Sequence, residues 1–207
     1  MVTCSYWGST LQHALRKQYL METFLENLPL LIYALFFGGL KFSERKMVTK
    51  PGTTIRKSWG DWTVWLILVP LWLAFVGPVL EFVILNRQPQ LWEMILGGVL
   101  FAASGLFSIK GYLDLQRGFT QALELEETSL VVTGLYHTLR HPITLGNILF
   151  CISCPLFLAS GPSWIPALIG VFGFMFRISI EESFMQQHMP DYADYKARTW
   201  ALIPFIY

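Results

Sequence analysis

Residues 62–85 read WTVWLILVPLWLAFVGPVLEFVIL, an apolar run interrupted only by Pro70, Pro78 and Glu81. A helix needs roughly 20 mostly apolar residues to cross a bilayer, and this run supplies them. The rest of the composition agrees with it. Of the 207 residues, 54% are hydrophobic and 14% are charged, and the mean hydropathy is +0.47. Soluble domains carry about 25% charged residues, so this chain lacks the polar surface to face water all round. The expected class is an all-α, polytopic integral membrane protein.

Further spans lie on both sides of that run. Phe24 to Leu40 is apolar apart from Glu26 and Asn27. Met94 to Ile109 has no charge and extends to Leu113 past Lys110. Ile143 to Leu158 and Trp164 to Phe176 are short runs separated by Ser160-Gly161-Pro162-Ser163, a turn signal, and are expected to form a helical hairpin. About five spans result. Before the first, Tyr6, Trp7, Leu11, Leu15 and Tyr19 recur beside Gln12, Arg16 and Lys17, the pattern of a helix lying in the interface; a frayed terminus reads almost as well. Met1 to Tyr19 lacks the basic start and apolar core of a signal peptide. The chain reads as one domain, residues 1–207, with N-terminal spans in 1–109 and a polar, chemistry-bearing region in 110–207.

Orientation follows from the basic residues. With five spans, one side holds Lys41, Arg45, Lys46, Lys50, Arg56, Lys57, Lys110, Arg117, Arg140, Arg177, Lys196 and Arg198. The other holds Arg16, Lys17 and Arg87. Twelve against three places the C-terminal tail in the cytoplasm. Trp59, Trp62, Trp92 and Trp164 stand near span ends, as an aromatic belt requires. A net charge of +1 argues against nucleic acid, which demands a basic face. Cys151 and Cys154 lie inside an apolar span and read as small packing residues. His13 and His188 have no ligand-like companions, so no metal is assigned. Glu81, costly within a span, is expected to face the protein interior or to lie near the outer end. Pro70 and Pro78 are expected to kink their helix, in a packing role.

The most informative polar stretch is Thr133-Gly134-Leu135-Tyr136-His137-Thr138-Leu139-Arg140-His141-Pro142. It reads as a turn at Gly134 followed by the start of a helix, with Pro142 in the first turn, where a missing N–H costs nothing. Arg140 and His141 then stand at the positive end of that helix, a place suited to an anion. Taken alone, the same residues read equally as an interfacial anchor. Downstream, Arg177 and Glu181 are four apart and share a helix face, with Glu182 beside them. An i,i+4 pair on a solvated helix end is the plain reading. The functional one is a carboxylate for a hydroxyl or amine and an arginine for an acidic ligand. Asp191-Tyr192-Ala193-Asp194-Tyr195, then Arg198 and Ile203-Pro204-Phe205, close the chain. Tyr192 and Tyr195 suit a lid over a site or a tail packed on the membrane surface.

In this order, Gly-x-Tyr, Arg-His-Pro, an apolar hairpin, Arg with paired Glu, Tyr-x-x-Tyr and a terminal apolar-Pro resemble the isoprenylcysteine carboxyl methyltransferase family. The related phospholipid N-methyltransferases share the likeness, which covers roughly residues 110–207. It implies a membrane-embedded enzyme that uses S-adenosyl-L-methionine. It also implies a cofactor site of Gln121, the backbone of Thr128, Ser129, Leu130 and Val131, then Tyr136, Arg140, His141, Thr144 and Glu181. Glu182 replaces Glu181 if the register slips by one. Arg177 and Glu181 are implied as the catalytic pair, with Arg177 near the substrate.

The chain departs from the family at three places. Thr144 stands where many relatives have Tyr, Thr128 where a His is common, and the tail from Gln186 to Tyr192 is shorter and lacks a Phe-Gly. The implied reaction is in-line methyl transfer to a lipophilic acceptor arriving from the bilayer. A carboxylate such as an isoprenylcysteine is favoured, because it is already ionised at neutral pH; a lipid amine or a thiol would need Glu181, Glu182 or His141 as base. Two rivals remain. One is a sterol-reductase-like enzyme using NADPH, for which the chain is short. The other is a membrane transporter or scaffold, which predicts polar residues at mid-bilayer rather than clustered at one edge.

Overall fold

The computed structural model describes residues 3–48, 62–124 and 130–203, and the side chains of 15–44, 46, 62–115 and 130–203. The helices are α1 (Thr3–Val48), α2 (Trp62–Leu85), α3 (Leu91–Glu124), α4 (Pro142–Phe157), α5 (Trp164–His188) and the short α6 (Tyr192–Arg198). A single turn of 3-10 helix, Gly134–His137, precedes α4. Among the described residues there is no strand, and Leu139 and Trp200 form one isolated parallel bridge.

Four helices are long and apolar enough to cross a membrane: α1 over Leu15–Glu44, α2, α3 over Leu91–Leu115, and α5; α4 is a shorter apolar helix. The chain is therefore a polytopic helical membrane protein. Its outward faces carry Leu35, Ile84 and Phe172, each at least 71% exposed, which is the surface lipid demands.

Three boundaries differ from the sequence reading. The amphipathic start is not a separate interfacial helix, because α1 runs from Thr3 through Pro29 to Val48, and no proline precedes Pro29 to stop it. The third span, expected to extend to Leu113, stays helical to Glu124; charge ends an apolar run but does not end a helix. Of the twelve cations expected on the cytoplasmic side, Lys41, Arg45 and Lys46 sit on the last turns of α1. Lys50, Arg56, Lys57 and Trp59 lie outside the described residues.

The hairpin arms are present, yet each packs mainly on another helix: α4 along α3 and α5 along α2. Without a hydrophobic driving force inside lipid, small residues let helices approach. A Cβ on Gly146 of α4 would stand 2.8 Å from the Ser104 carbonyl oxygen of α3, so glycine sets that distance. Pro70 and Pro78 are buried within a continuous α2, and Gly170 of α5 faces Pro70. Cys151 and Cys154 are buried free thiols, packing as expected. Two apolar clusters form the core. One joins Ala74, Ile148, Cys151, Ala167, Phe174 and Ile178 across α2, α4 and α5. The other seats α1: Tyr33 and Phe37 stack at 4.2 Å, Phe37 and Phe101 at 3.9 Å, and the Tyr33 hydroxyl donates to the Phe75 carbonyl at 2.7 Å.

The two ends of the bundle are distinct. At one, Glu81 of α2 accepts from the N–H of Gly161 at 3.0 Å and of Ser163 at 2.7 Å, and from the Ser163 hydroxyl. It thereby satisfies the α4–α5 turn, where Ala159 has φ 52. The costly acid thus lies at a helix end, where it accepts from backbone donors of the turn. At the other end, Lys41 donates to Asn147 at 3.1 Å and Arg177 to Thr63 at 2.8 Å. These contacts gather the C-terminal ends of α1, α3 and α5 with the N-terminal ends of α2 and α4.

Candidate functional site

Pro142 opens α4 at its first position, and His141 is the N-cap residue. The approach to it is held from two directions. Gly134 has φ +63, and any Cβ there would collide with the Asp114 carboxylate of α3; only glycine combines the left-handed backbone with that contact. Asp114 Oδ2 accepts the Leu135 N–H at 2.8 Å and so fixes the turn that carries Tyr136. From the other side the tail lies along residues 138–141. Trp200 N–H donates to Thr138 O at 2.9 Å, Arg140 N–H to Trp200 O at 2.8 Å, and His141 N–H to Ala201 O at 3.1 Å.

Arg140 is the knot of this arrangement. Its Nε donates to Glu182 Oε1 at 2.7 Å, and its guanidinium also donates to the carbonyls of Thr199 and, at 3.2 Å, Lys196. Lys196 Nζ pairs with the second Glu182 oxygen at 2.9 Å. Glu182 is therefore occupied on both sides. These bonds are short and charge-assisted, the strong kind.

A cleft of about 390 Å³ opens beside this knot, within the usual size of small-molecule sites. Leu130, Val131, Tyr136, Arg140, His141, Thr144 and Glu181 line it, all foreseen from sequence. Gln121 lies on α3 with its side chain outside the described residues, and Thr128 and Ser129 fall outside them altogether. Glu182 does not line the cleft, so of the two glutamates it is Glu181 that faces it. Tyr192 and Tyr195 line it too and are buried, 1% and 6% exposed. Tyr195 Oη donates to the Tyr136 carbonyl at 2.7 Å.

The electrostatics keep the tyrosines and the histidine of the wall uncharged. Burial pushes the Tyr136 hydroxyl well above its ordinary value, with Tyr195 and nearby carboxylates adding to it. Burial likewise lifts Tyr192 and Tyr195 to about 12. Burial lowers His141, Glu181 and Glu182 pull it partly back, and Arg140 lowers it further. The imidazole is thus neutral at pH 7. His141 Nδ1 stands 3.8 Å from Glu181 and Nε2 3.5 Å from Glu182. His141 Nε2 and the Tyr192 hydroxyl are buried with no hydrogen-bond partner among the described residues. Both atoms are closed to solvent behind the cleft wall, with Nε2 facing Glu182.

A second, smaller cavity of about 230 Å³ adjoins, lined by Val64, Ile67, Leu68, Phe174 and Ile178 with Arg177. Thr144 and Glu181 line both cavities. Arg177 Nε donates to Glu181 Oε1 at 2.8 Å, and Thr63 of α2 accepts from the same guanidinium. The i,i+4 pair is therefore built into the wall between the cavities rather than displayed on a solvated helix end.

Sequence reasoning missed Asp114, Tyr112, Met185 and Met189, the last three of which also line the cleft. An acid in the closing turns of an apolar helix was the available signal for Asp114. Nothing in the sequence marked Thr63.

A helical membrane protein with a cleft at one end that carries Arg140, His141 and Glu181, and a smaller cavity against it, is the class this geometry defines. Residues 92–191 match the family model described as phospholipid methyltransferase, and over that region the chain is similar to that group of membrane methyltransferases. No curated protein and no solved structure matches it.

Proposed function

We propose that the larger cleft holds S-adenosyl-L-methionine and that its methyl group passes to a lipophilic acceptor lying in the adjoining apolar cavity. The observation that carries this reading is the shared wall: Thr144 and Glu181 belong to both cavities. The cleft fits such a donor. Its lining includes Arg140, His141 and the Glu181 carboxylate, which suits a donor that carries both a carboxylate and a cationic sulfonium. When bound, S-adenosyl-L-methionine supplies a methyl group on a sulfonium, and the S–CH3 electron pair stays on sulfur as the acceptor's lone pair forms the new bond.

The chain's contribution is then positioning and electrostatics. Arg177, anchored by Thr63 and Glu181, orients an acceptor carboxylate within apolar walls. Such a carboxylate needs no base, and an isoprenylcysteine-like group is the favoured acceptor. A lipid amine is the second reading, favoured by the matched family's description; Glu181 would hold it, with neutral His141 near enough to take a proton. The acceptor comes from the bilayer between α2 and α5, while the donor reaches the cleft from the cytoplasm. The cation asymmetry supports that orientation for the C-terminus and the site.

The test is incubation with labelled S-adenosyl-L-methionine and, separately, a prenylated cysteine and phosphatidylethanolamine. Label in the prenylated cysteine is expected, with loss of transfer in Arg177→Ala and Glu181→Ala. Full activity of both variants would sink the proposal. Thermal protection by NADPH instead of S-adenosylhomocysteine would favour the reductase reading.

A further inference from the structure

A third cavity, larger than either of these, lies away from both. It is a groove of about 600 Å³ between α1 and α3 that shares no lining residue with the donor cleft or the acceptor cavity. Its floor is Gly98, Ala102 and Gly105 of α3, and its rims are Phe36 and Leu40 of α1 with Leu106 of α3. The helices close at Gly105, where a Cβ would stand 3.2 Å from Leu40, and part at Gly98, where one would meet nothing nearer than 3.9 Å.

One lining side chain is charged: Lys110. It is exposed and has no ion-pair or hydrogen-bond partner among the described residues. Among the described residues at this end, Glu44 is held by Lys41 at 2.8 Å and Asp114 accepts from Leu135 N–H. No carboxylate lines the groove. Lys110 stands near the close of the α3 span, which ends at Leu115, on the side of the donor cleft. From Gly98 to Lys110 the helix rises about 18 Å, close to one leaflet's hydrocarbon depth of roughly 15 Å.

These facts select an occupant. An apolar groove with no polar wall does not hold ordered water, so inside a bilayer it fills with hydrocarbon. An unmatched cation at its headgroup end attracts an anion, whereas the ammonium of a zwitterionic lipid would set a second positive charge beside Lys110. We propose that this groove binds an anionic phospholipid of the bilayer, with one acyl chain along Gly98–Ile109 and the phosphate on Lys110.

The test is native mass spectrometry of the intact chain after detergent exchange, with equimolar phosphatidylglycerol and phosphatidylcholine. Retention of one phosphatidylglycerol is expected. Lys110→Gln, at an exposed position, reduces that preference about tenfold while circular dichroism and the melt stay native. Ala102→Trp fills the groove and removes the bound lipid, and Arg87→Gln at the opposite end changes nothing. Equal retention of the two lipids by the unaltered chain, or an undiminished preference in Lys110→Gln, overturns the proposal. So does a dimer in which a second copy replaces the lipid.

Discussion

The hydroxyl of Tyr195 reaches across the cleft to the backbone carbonyl of Tyr136, 2.7 Å away. A residue near the end of the chain thereby holds the turn that leads into α4, over a sequence distance of 59. The roof of the cleft and its wall are one hydrogen-bonded unit. Tyr195→Phe keeps the ring and removes this bond, a net loss of about 1 kcal/mol. Binding of S-adenosylhomocysteine, followed by calorimetry, is expected to weaken roughly fivefold; unchanged affinity would show that the tail does not shape the cleft.

Gly134 and Asp114 make a prediction with an internal control. Gly134→Ala forces a Cβ onto the Asp114 carboxylate at φ +63, and a residue strained in the left-handed region costs about 1–2 kcal/mol before the clash is counted. Asp114→Asn retains an acceptor for Leu135 N–H and is expected to be mild, whereas Asp114→Leu orphans that donor. Ligand affinities in the order wild type, Asp114→Asn, Asp114→Leu check the assignment.

Glu182 is predicted to be structural. Glu182→Leu leaves Arg140 and Lys196 without their shared counter-charge, and removing one partner of a buried pair costs about 3–5 kcal/mol. The loss here is expected at or below the low end, because Lys196 is 40% exposed and can rehydrate. The melting temperature in detergent is expected to fall by several degrees and to recover in part when Lys196→Met is added.

His141 sets a pH dependence whose sign is definite. Its folded pKa lies below the ordinary 6.5, chiefly through burial, so the unfolded chain takes up the proton first. Stability is fully present above about pH 6.5 and declines as pH falls through that value towards the lower folded one, by at most about 1.4 kcal/mol per pH unit. Melts between pH 7.5 and 5.5 should show that decline, flattened in His141→Gln.

Glu81 offers a contrast at the opposite end. Glu81→Leu strips the acceptor from Gly161 and Ser163 N–H, each charge-assisted bond contributing about 1.5–3 kcal/mol. Lower thermal stability is expected with ligand affinity retained, since neither cavity touches this turn. A weakened affinity would mean that the turn is coupled to the cleft through α4.

The membrane class, the positions of the apolar helices and the Gly-x-Tyr to Arg-His-Pro stretch were legible in the order of residues. Each depends on local composition or near-neighbour spacing: 24 mostly apolar residues in α2, a proline at the first helical position, an arginine four before a glutamate. Helix ends were less legible, because Lys110 and Asp114 end an apolar run without ending α3.

What only the tertiary structure decided is which partner each polar group takes. Arg140 and Glu182 are 42 residues apart, Arg177 and Thr63 are 114 apart, and no periodicity reports such pairs. The sequence determined that an arginine and two glutamates would stand at one end of a helical membrane protein. Packing of α5 against α2 and of the tail against α4 decided that Glu181 faces the cavities while Glu182 is consumed by Arg140 and Lys196. The physical reason is that neighbouring glutamates point about 100° apart on a helix, and what each meets is supplied by distant segments.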